Sequence, residues 1–452
     1  MRTYQTDVVV VGGGAAGSLA AVAARRMGRS VTLIRRGDGA TLQSSGAVDV
    51  AEYHDGAPVG PLRSALDPGA SYLEAARKLA VANPFHPYNV VEKCIESIDE
   101  ALAMLAEVAA SAGLKGSQTA GQNLTLATVM GTVKRTAMAQ ASMTEGDWSL
   151  FHTGERVGVV HLPQLTQGDS ANVIAVLTAI ANMTSISGAP SPTLVLLEVD
   201  GLLTRTDSLR ATRDVAARME TEEGERALTD ALHRSRKGAG MVDRILIPPV
   251  LGTRGMPKLL EKLRASLGIP VAEMLSLPPS VPGERLQRAL EDGVHKAGVE
   301  VLEGEVQQVI KSGNRVGEIQ VRLGGEDARV LCGSLVLATG KYLSGGIRRD
   351  VRFFEPLLDL PVFIDGRNVD TGFVGDFVSD QPEQPQAFMR AGVLTDAQLR
   401  PLDAAAKAPV FVNVFAAGSV LAGYDVARQR SGLGVAAVTG MLAGRFAARQ
   451  GA

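Results

Sequence analysis

Cysteine is scarce: among 452 residues, only Cys94 and Cys332 are thiols. Two thiols cannot hold an iron–sulfur cluster, which takes about four ligands. They also cannot organise a disulfide framework, so a reducing, cytoplasmic compartment is the expectation. Long apolar runs are missing too. No stretch approaches the roughly 18 uninterrupted apolar residues of a membrane span. The N-terminal run Val8–Val11 reads as a buried strand and not as a signal peptide. Membrane contact is therefore expected only through a partner, at the inner face of the cell membrane. There is no excess of basic charge: 46 basic against 48 acidic residues leave a formal net charge of -2. Nucleic acid, which needs a basic face, is not an expected partner. Histidines number six, which narrows the search for a general base, and no metal site is expected.

Apolar residues, at 45%, are plentiful. A chain of this length and composition predicts two or three cores. The order of patterns predicts an α/β fold. A Rossmann-like nucleotide-binding domain with a parallel sheet and a β-meander is split by an inserted α+β middle or capping domain. The expected segments are 1–85 and 276–452 for the nucleotide domain and 86–275 for the insertion. Asp7–Val11 reads as a central parallel strand, Ala15–Met27 as a helix and Ser30–Ile34 as the next strand. Gly37–Gly60 reads as loop, and helices are expected at Ala70–Ala82, Val90–Ala112, Asn172–Met183 and Ser208–Met219. Late in the chain, a helix over Gly283–Ala297 precedes strands at Val299–Leu302, Val306–Ile310, Val316–Leu323, Ala328–Leu331, Ser334–Ala338 and Val410–Ala417.

Four glycine-rich segments carry the chemistry. In Val11–Gly17, Gly12 permits a tight turn, Gly14 lets the backbone approach a pyrophosphate, and Gly17 lets the helix pack on the strand. Ala15 and Ala16 open that helix, whose N-terminus favours phosphate. About 20 residues on, an acid usually grips a ribose hydroxyl. Arg35 and Arg36 stand there instead. That leaves two readings open: FAD with an altered adenosine contact, or a smaller or phosphorylated nucleotide such as FMN or NADP. Ser44, Ser45 and Gly46 form a small hydroxyl-rich loop able to approach a flavin, and no histidine there offers a covalent link. Thr339 and Gly340 end an apolar strand, leaving room for a cofactor. Gly418, then Gly432, Leu433 and Gly434 opening the last helix, can aim N–H groups at reduced flavin.

The order of these pieces resembles the fumarate reductase and succinate dehydrogenase-like flavoproteins. More closely, the chain resembles the family of B-type subunits of anaerobic glycerol-3-phosphate dehydrogenase. The residues that carry this are Arg36-Gly37, Ser44–Asp49, Pro248–Gly252, Leu277–Leu286, Ala338–Gly340 with Ser344–Gly346, and Ala417–Asp425. The resemblance implies a non-covalent flavin, FAD or FMN, with FMN the one usually assigned to members of that family. It implies a subunit of a quinone-linked dehydrogenase oxidising sn-glycerol 3-phosphate to dihydroxyacetone phosphate. The implied partners are a larger flavoprotein A-type subunit and an iron–sulfur C-type subunit, to which electrons are relayed. A stand-alone fumarate reductase-like oxidoreductase and a non-catalytic structural subunit are the alternatives.

Oxidising an alcohol requires a base for its O–H, and a phosphate substrate requires cations. The candidates are His86 in the proline-framed segment Asn83–Tyr88, Lys134, which with Arg135 follows the loop-like turn Met130–Thr132, and Arg254 near a helix start.

Overall fold

The computed structural model describes residues 1–54, 57–58, 71–163, 165, 170–185, 191–200, 202, 210–369 and 372–450. Part of the Gly37–Gly60 loop and the start of the Ser208–Met219 helix lie outside these.

The chain opens as β1 (Arg2–Val11), α1 (Ala15–Arg26) and β2 (Val31–Arg35). Val8–Val11 are buried on both faces, which is why this run lacks alternation. Helix α2 (Ile98–Val108) packs on α1 and on the last helix, so the main core extends through Leu114. It is shorter than the predicted Val90–Ala112, because Lys93 at φ 55° interrupts the helical path. A hairpin follows, β3 (Leu124–Ala127) and β4 (Val133–Thr136), and Lys134 and Arg135 lie on its second strand, after the turn.

A second sheet contains β5 (Arg156–His161), β6 (Thr193–Glu198), β7 (Arg244–Ile247) and β8 (Val271–Glu273). Its order is β6-β5-β7-β8 and every pairing is parallel. Helix α3 (Met256–Leu267) connects β7 to β8.

The chain then returns to the first sheet. Helix α4 (Val281–Lys296) leads into β9 (Glu300–Glu303), followed by β10 (Glu305–Ser312), β11 (Arg315–Leu323) and β12 (Glu326–Leu337). Strand β13 (Val414–Ala416) and helix α5 (Gly432–Gln450) close the fold. The sheet order is β9-β2-β1-β12-β11-β10, with β13 also on β12. Two predicted strands, Ala328–Leu331 and Ser334–Ala338, are one. The first half of β12 pairs antiparallel with β11, its second half pairs parallel with β13, and β1 runs beside it from Ala328 to Leu337. The predicted Val410–Ala417 shrinks to the three residues that pair with β12.

One buried ion pair ties the two sheets together. Arg285 on α4 donates from Nη2 to Glu273 Oε1 on β8 at 2.9 Å and from Nε to Gly252 O at 2.7 Å. Both side chains are almost fully buried. Removing one partner strands the other charge in a dry interior. Arg285→Ala is therefore expected to lower stability by about 3–5 kcal/mol. The single tryptophan, Trp148, is buried in the core beside β8, so its fluorescence in a urea titration reads the loss.

Candidate functional site

A cavity of about 730 Å³ lies over the carboxyl ends of β1, β2 and β12. Its middle is the turn after β1. Gly12 has φ +119°, and a Cβ there would stand 2.1 Å from Ala338 O. A Cβ on Gly17 would stand 1.9 Å from Gly12 O. Both glycines thus exist for close packing of strand, turn and helix. Gly14 differs. Its Cβ would meet nothing nearer than Thr41 Oγ1 at 3.5 Å and Gly39 Cα at 3.8 Å. Packing alone therefore does not demand a glycine at Gly14, which lines the cavity. Gly14, the N-cap of α1, makes no side-chain cap bond, and Ala15 N–H donates to Thr41 Oγ1 at 3.0 Å. No acid lies in the first turn and Arg25 and Arg26 close the last. The helix end is a cradle for an anion.

On one side of this cradle lie Arg35, Arg36, Gly304–Gln307 and Pro356-Leu357. Arg35 lines the cavity, but its guanidinium is already engaged. Its guanidinium is clasped by Glu291 of α4 and, at 2.8 Å, by Glu303 of β9. Burial pulls its pKa down and the carboxylates push it up, with a net rise. Gln287 Nε2 donates to Gly13 O and to Glu291 Oε1, each at 2.9 Å, joining this cluster to the glycine turn. Arg36 pairs with Glu305 at 2.8 Å.

Glu355 holds the turn at Pro356-Leu357 by accepting the N–H groups of Leu357 at 3.0 Å and Leu358 at 2.8 Å. Burial pushes its carboxyl up to about 7 from 4.5, against those bonds. A raised carboxyl pKa means that the folded chain holds a proton the unfolded chain has lost. Stability from this group is complete below about pH 4.5 and is lost as pH rises to about 7. Glu355→Gln is expected to flatten that window, by up to roughly 3 kcal/mol, in thermal melts taken from pH 4.5 to pH 8.

On the other side lie Gln43–Ser45, Ala47, Asp49, Lys134, Gly432, Leu433 and Ala436. Lys134 Nζ stands 2.6 Å from Asp49 Oδ2 and donates to Ser45 Oγ at 3.2 Å. Asp49 Oδ1 is buried and has no hydrogen-bond partner among the described residues. Behind this pair, Glu52 is held by Arg135 at 2.8 Å and Arg430 at 3.3 Å. Burial raises the Glu52 pKa, and the two arginines oppose the rise. The loop is fixed by Gly434 N–H donating to Asp49 O at 2.8 Å and Tyr88 Oη donating to Val50 O at 2.7 Å.

The structure gathers most of the residues singled out in the sequence. Gly12, Gly14, Ala15, Ala16, Arg35 and Arg36 line the cavity. So do Ser44, Ser45, Thr339, Gly340, Gly432, Leu433 and Lys134. Gly17, Gly46, Gly418 and Gly434 stand behind the wall. Gly46 is pressed against Pro282, Gly418 against Ala16, and Gly434 against Val50. Two residues are elsewhere. His86 is fully buried, and its Nδ1 accepts the Tyr88 N–H at 3.0 Å, capping a short helix. Arg254 is exposed, and its backbone N–H joins those of Thr253 and Gly255 on the Glu220 carboxylate. Sequence reasoning missed Asp49, Thr41 and Glu305. Asp49 closes the Ser44–Asp49 segment, so its signal was a carboxylate four residues beyond a hydroxyl pair.

A dinucleotide fits this arrangement. Gly14 lines the cavity, and the lining runs from it to Arg36 and Glu305 in one direction and to Ser45 and Lys134 in the other. A mononucleotide would use one side only. The FAD binding domain family matches residues 7–435. A Halobacterium salinarum protein, named as the probable B-type subunit of an anaerobic glycerol-3-phosphate dehydrogenase, is 31% identical over 98% of each chain. The chain belongs to this family of anaerobic glycerol-3-phosphate dehydrogenase B-type subunits. A Yersinia pestis member of the same name is 28% identical over 95% of each chain. The 3-ketosteroid delta1-dehydrogenase of Sterolibacterium denitrificans aligns at 12% identity and a TM-score of 0.42, covering 98% of this chain and 99% of that one. This B-type family member is thus a flavin-dependent oxidoreductase whose nucleotide is FAD. Of the two flavins that the sequence left open, FAD is the one the family match indicates.

Proposed function

We propose that the chain is the flavin-bearing subunit of a dehydrogenase that oxidises sn-glycerol 3-phosphate to dihydroxyacetone phosphate. The observation that carries this reading is the Lys134–Asp49 pair at one end of the dinucleotide cavity, in a chain whose relatives bear that enzyme's name. Gly12–Ala16 would hold the pyrophosphate, and Ser44, Ser45, Gly432 and Leu433 would border the flavin ring. FAD, when bound, supplies the acceptor for a hydride. The chain's own groups handle the proton and the substrate charge. Asp49 accepts the proton of the alcohol O–H. Lys134, itself held by Ser45 Oγ, keeps the carboxylate in place and adds positive charge for a phosphate ester.

Two cysteines cannot carry an iron–sulfur cluster. Electrons leaving this chain for a quinone would pass through an iron–sulfur partner, beside the larger flavoprotein subunit. Among the described residues no helix is long and apolar enough to cross a membrane. Attachment to the inner face of the cell membrane would fall to that partner.

The test is anaerobic addition of glycerol 3-phosphate to the FAD-loaded full chain. Bleaching of the flavin band by the chain alone supports the reading. Bleaching that requires the larger flavoprotein subunit assigns oxidation to that partner and overturns it.

A further inference from the structure

The charges at the adenosine end are reversed from the usual order, and the reversal is made good one strand away. An acid at the end of β2 normally accepts a ribose O–H. Here that residue is Arg35, which can only donate. Directly beside it across the parallel β2–β9 pair stands Glu303. With Glu303 and Glu291 around it, the Arg35 side chain is only 15% exposed, and it acts as a strut between β2, β9 and α4. The next acid along, Glu305 at the start of β10, lines the cavity with a side chain 52% exposed. Arg36 Nη1 donates to Glu305 Oε1 at 2.8 Å and so orients the carboxylate. A carboxylate offers about four acceptor positions, and this bond takes one.

We propose that Glu305, positioned by Arg36, accepts the hydroxyls of the adenosine ribose of FAD. It does from β10 what an acid on β2 does elsewhere. The inference rests on the cavity being an FAD site. It makes Glu305 a determinant of dinucleotide over mononucleotide binding, since FMN carries no adenosine for it to hold.

Apoprotein of the full chain, titrated with FAD, with FMN and with an FAD analogue lacking both adenosine ribose hydroxyls, tests this. Flavin fluorescence reads Kd. Glu305→Ala is expected to weaken FAD on the order of 10- to 100-fold. FMN affinity stays as in the wild type, and so does affinity for the analogue, because substitution and analogue remove the same contact. Glu305→Gln keeps the shape and one acceptor oxygen and is expected to fall between. Unchanged FAD affinity overturns the proposal, as does equal weakening of FAD and the analogue. A wild-type chain that binds FMN as tightly as FAD overturns the dinucleotide reading itself. Arg36 and Glu305 are about half exposed, and melting of each apoprotein confirms that the comparison is between folded chains.

Discussion

Gly14→Val yields a folded chain that no longer takes up FAD. Gly14 has φ -78° and ψ -175°, extended backbone that valine adopts readily. The nearest protein atom to its Cβ would be 3.5 Å away, an ordinary van der Waals contact, so the backbone accepts a Cβ here. The added methyls occupy the space where the helix end meets a pyrophosphate, and they block the close approach that anion binding there requires. FAD affinity is expected to fall by at least roughly 100-fold, or about 2.7 kcal/mol. Gly17→Val fails differently. Its Cβ would collide with Gly12 O at 1.9 Å, and the helix must move off the strand. The ratio of flavin to protein absorbance, read with thermal melting, separates the two. The Gly14 variant melts like wild-type apoprotein without flavin, whereas the Gly17 variant melts well below it. Equal flavin content in the Gly14 variant and the wild type would place the cofactor elsewhere.

Asp49→Asn is the second large effect. Asparagine keeps the shape of the wall and loses the ability to take a proton. Positioned proton transfer contributes on the order of 10²–10⁴ in rate, so flavin reduction by glycerol 3-phosphate is expected to slow by that factor. FAD content stays near that of the wild type. Lys134→Met acts on the same group from the other side. It leaves a partly buried carboxylate without its cation and removes the positive charge offered to a phosphate ester, so half-maximal reduction is expected to need a higher concentration of glycerol 3-phosphate. A stopped-flow series across substrate concentration checks both variants. Unchanged reduction rates in Asp49→Asn would remove this residue from the chemistry.

What could be read from the sequence follows from distance along the chain. The β1–turn–α1 unit was legible because its strand, glycines and helix are contiguous. The meander and α4 were legible for the same reason. Arg35 was not. Its partners Glu291 and Glu303 lie 256 and 268 residues away, and only the parallel pairing of β2 with β9 brings them in. The Asp49–Lys134 pair depends on the β3–β4 hairpin reaching back to the loop after β2, and no local pattern announces that. His86 looked functional because prolines frame it. In the fold those prolines fix a tight turn, and the imidazole caps it from within the core. The break at Lys93 and the merging of two strands into β12 are also tertiary outcomes. In β12, continuous pairing with β1 carries the strand through Cys332 and Gly333.

The proposed chemistry requires that the cavity around Gly12–Gly17 hold a dinucleotide. Acid release of the cofactor from the purified, folded chain, followed by chromatography, tests that most directly. FAD in near one-to-one ratio with the chain is the expected result. Recovery of FMN, or of no flavin, would contradict it.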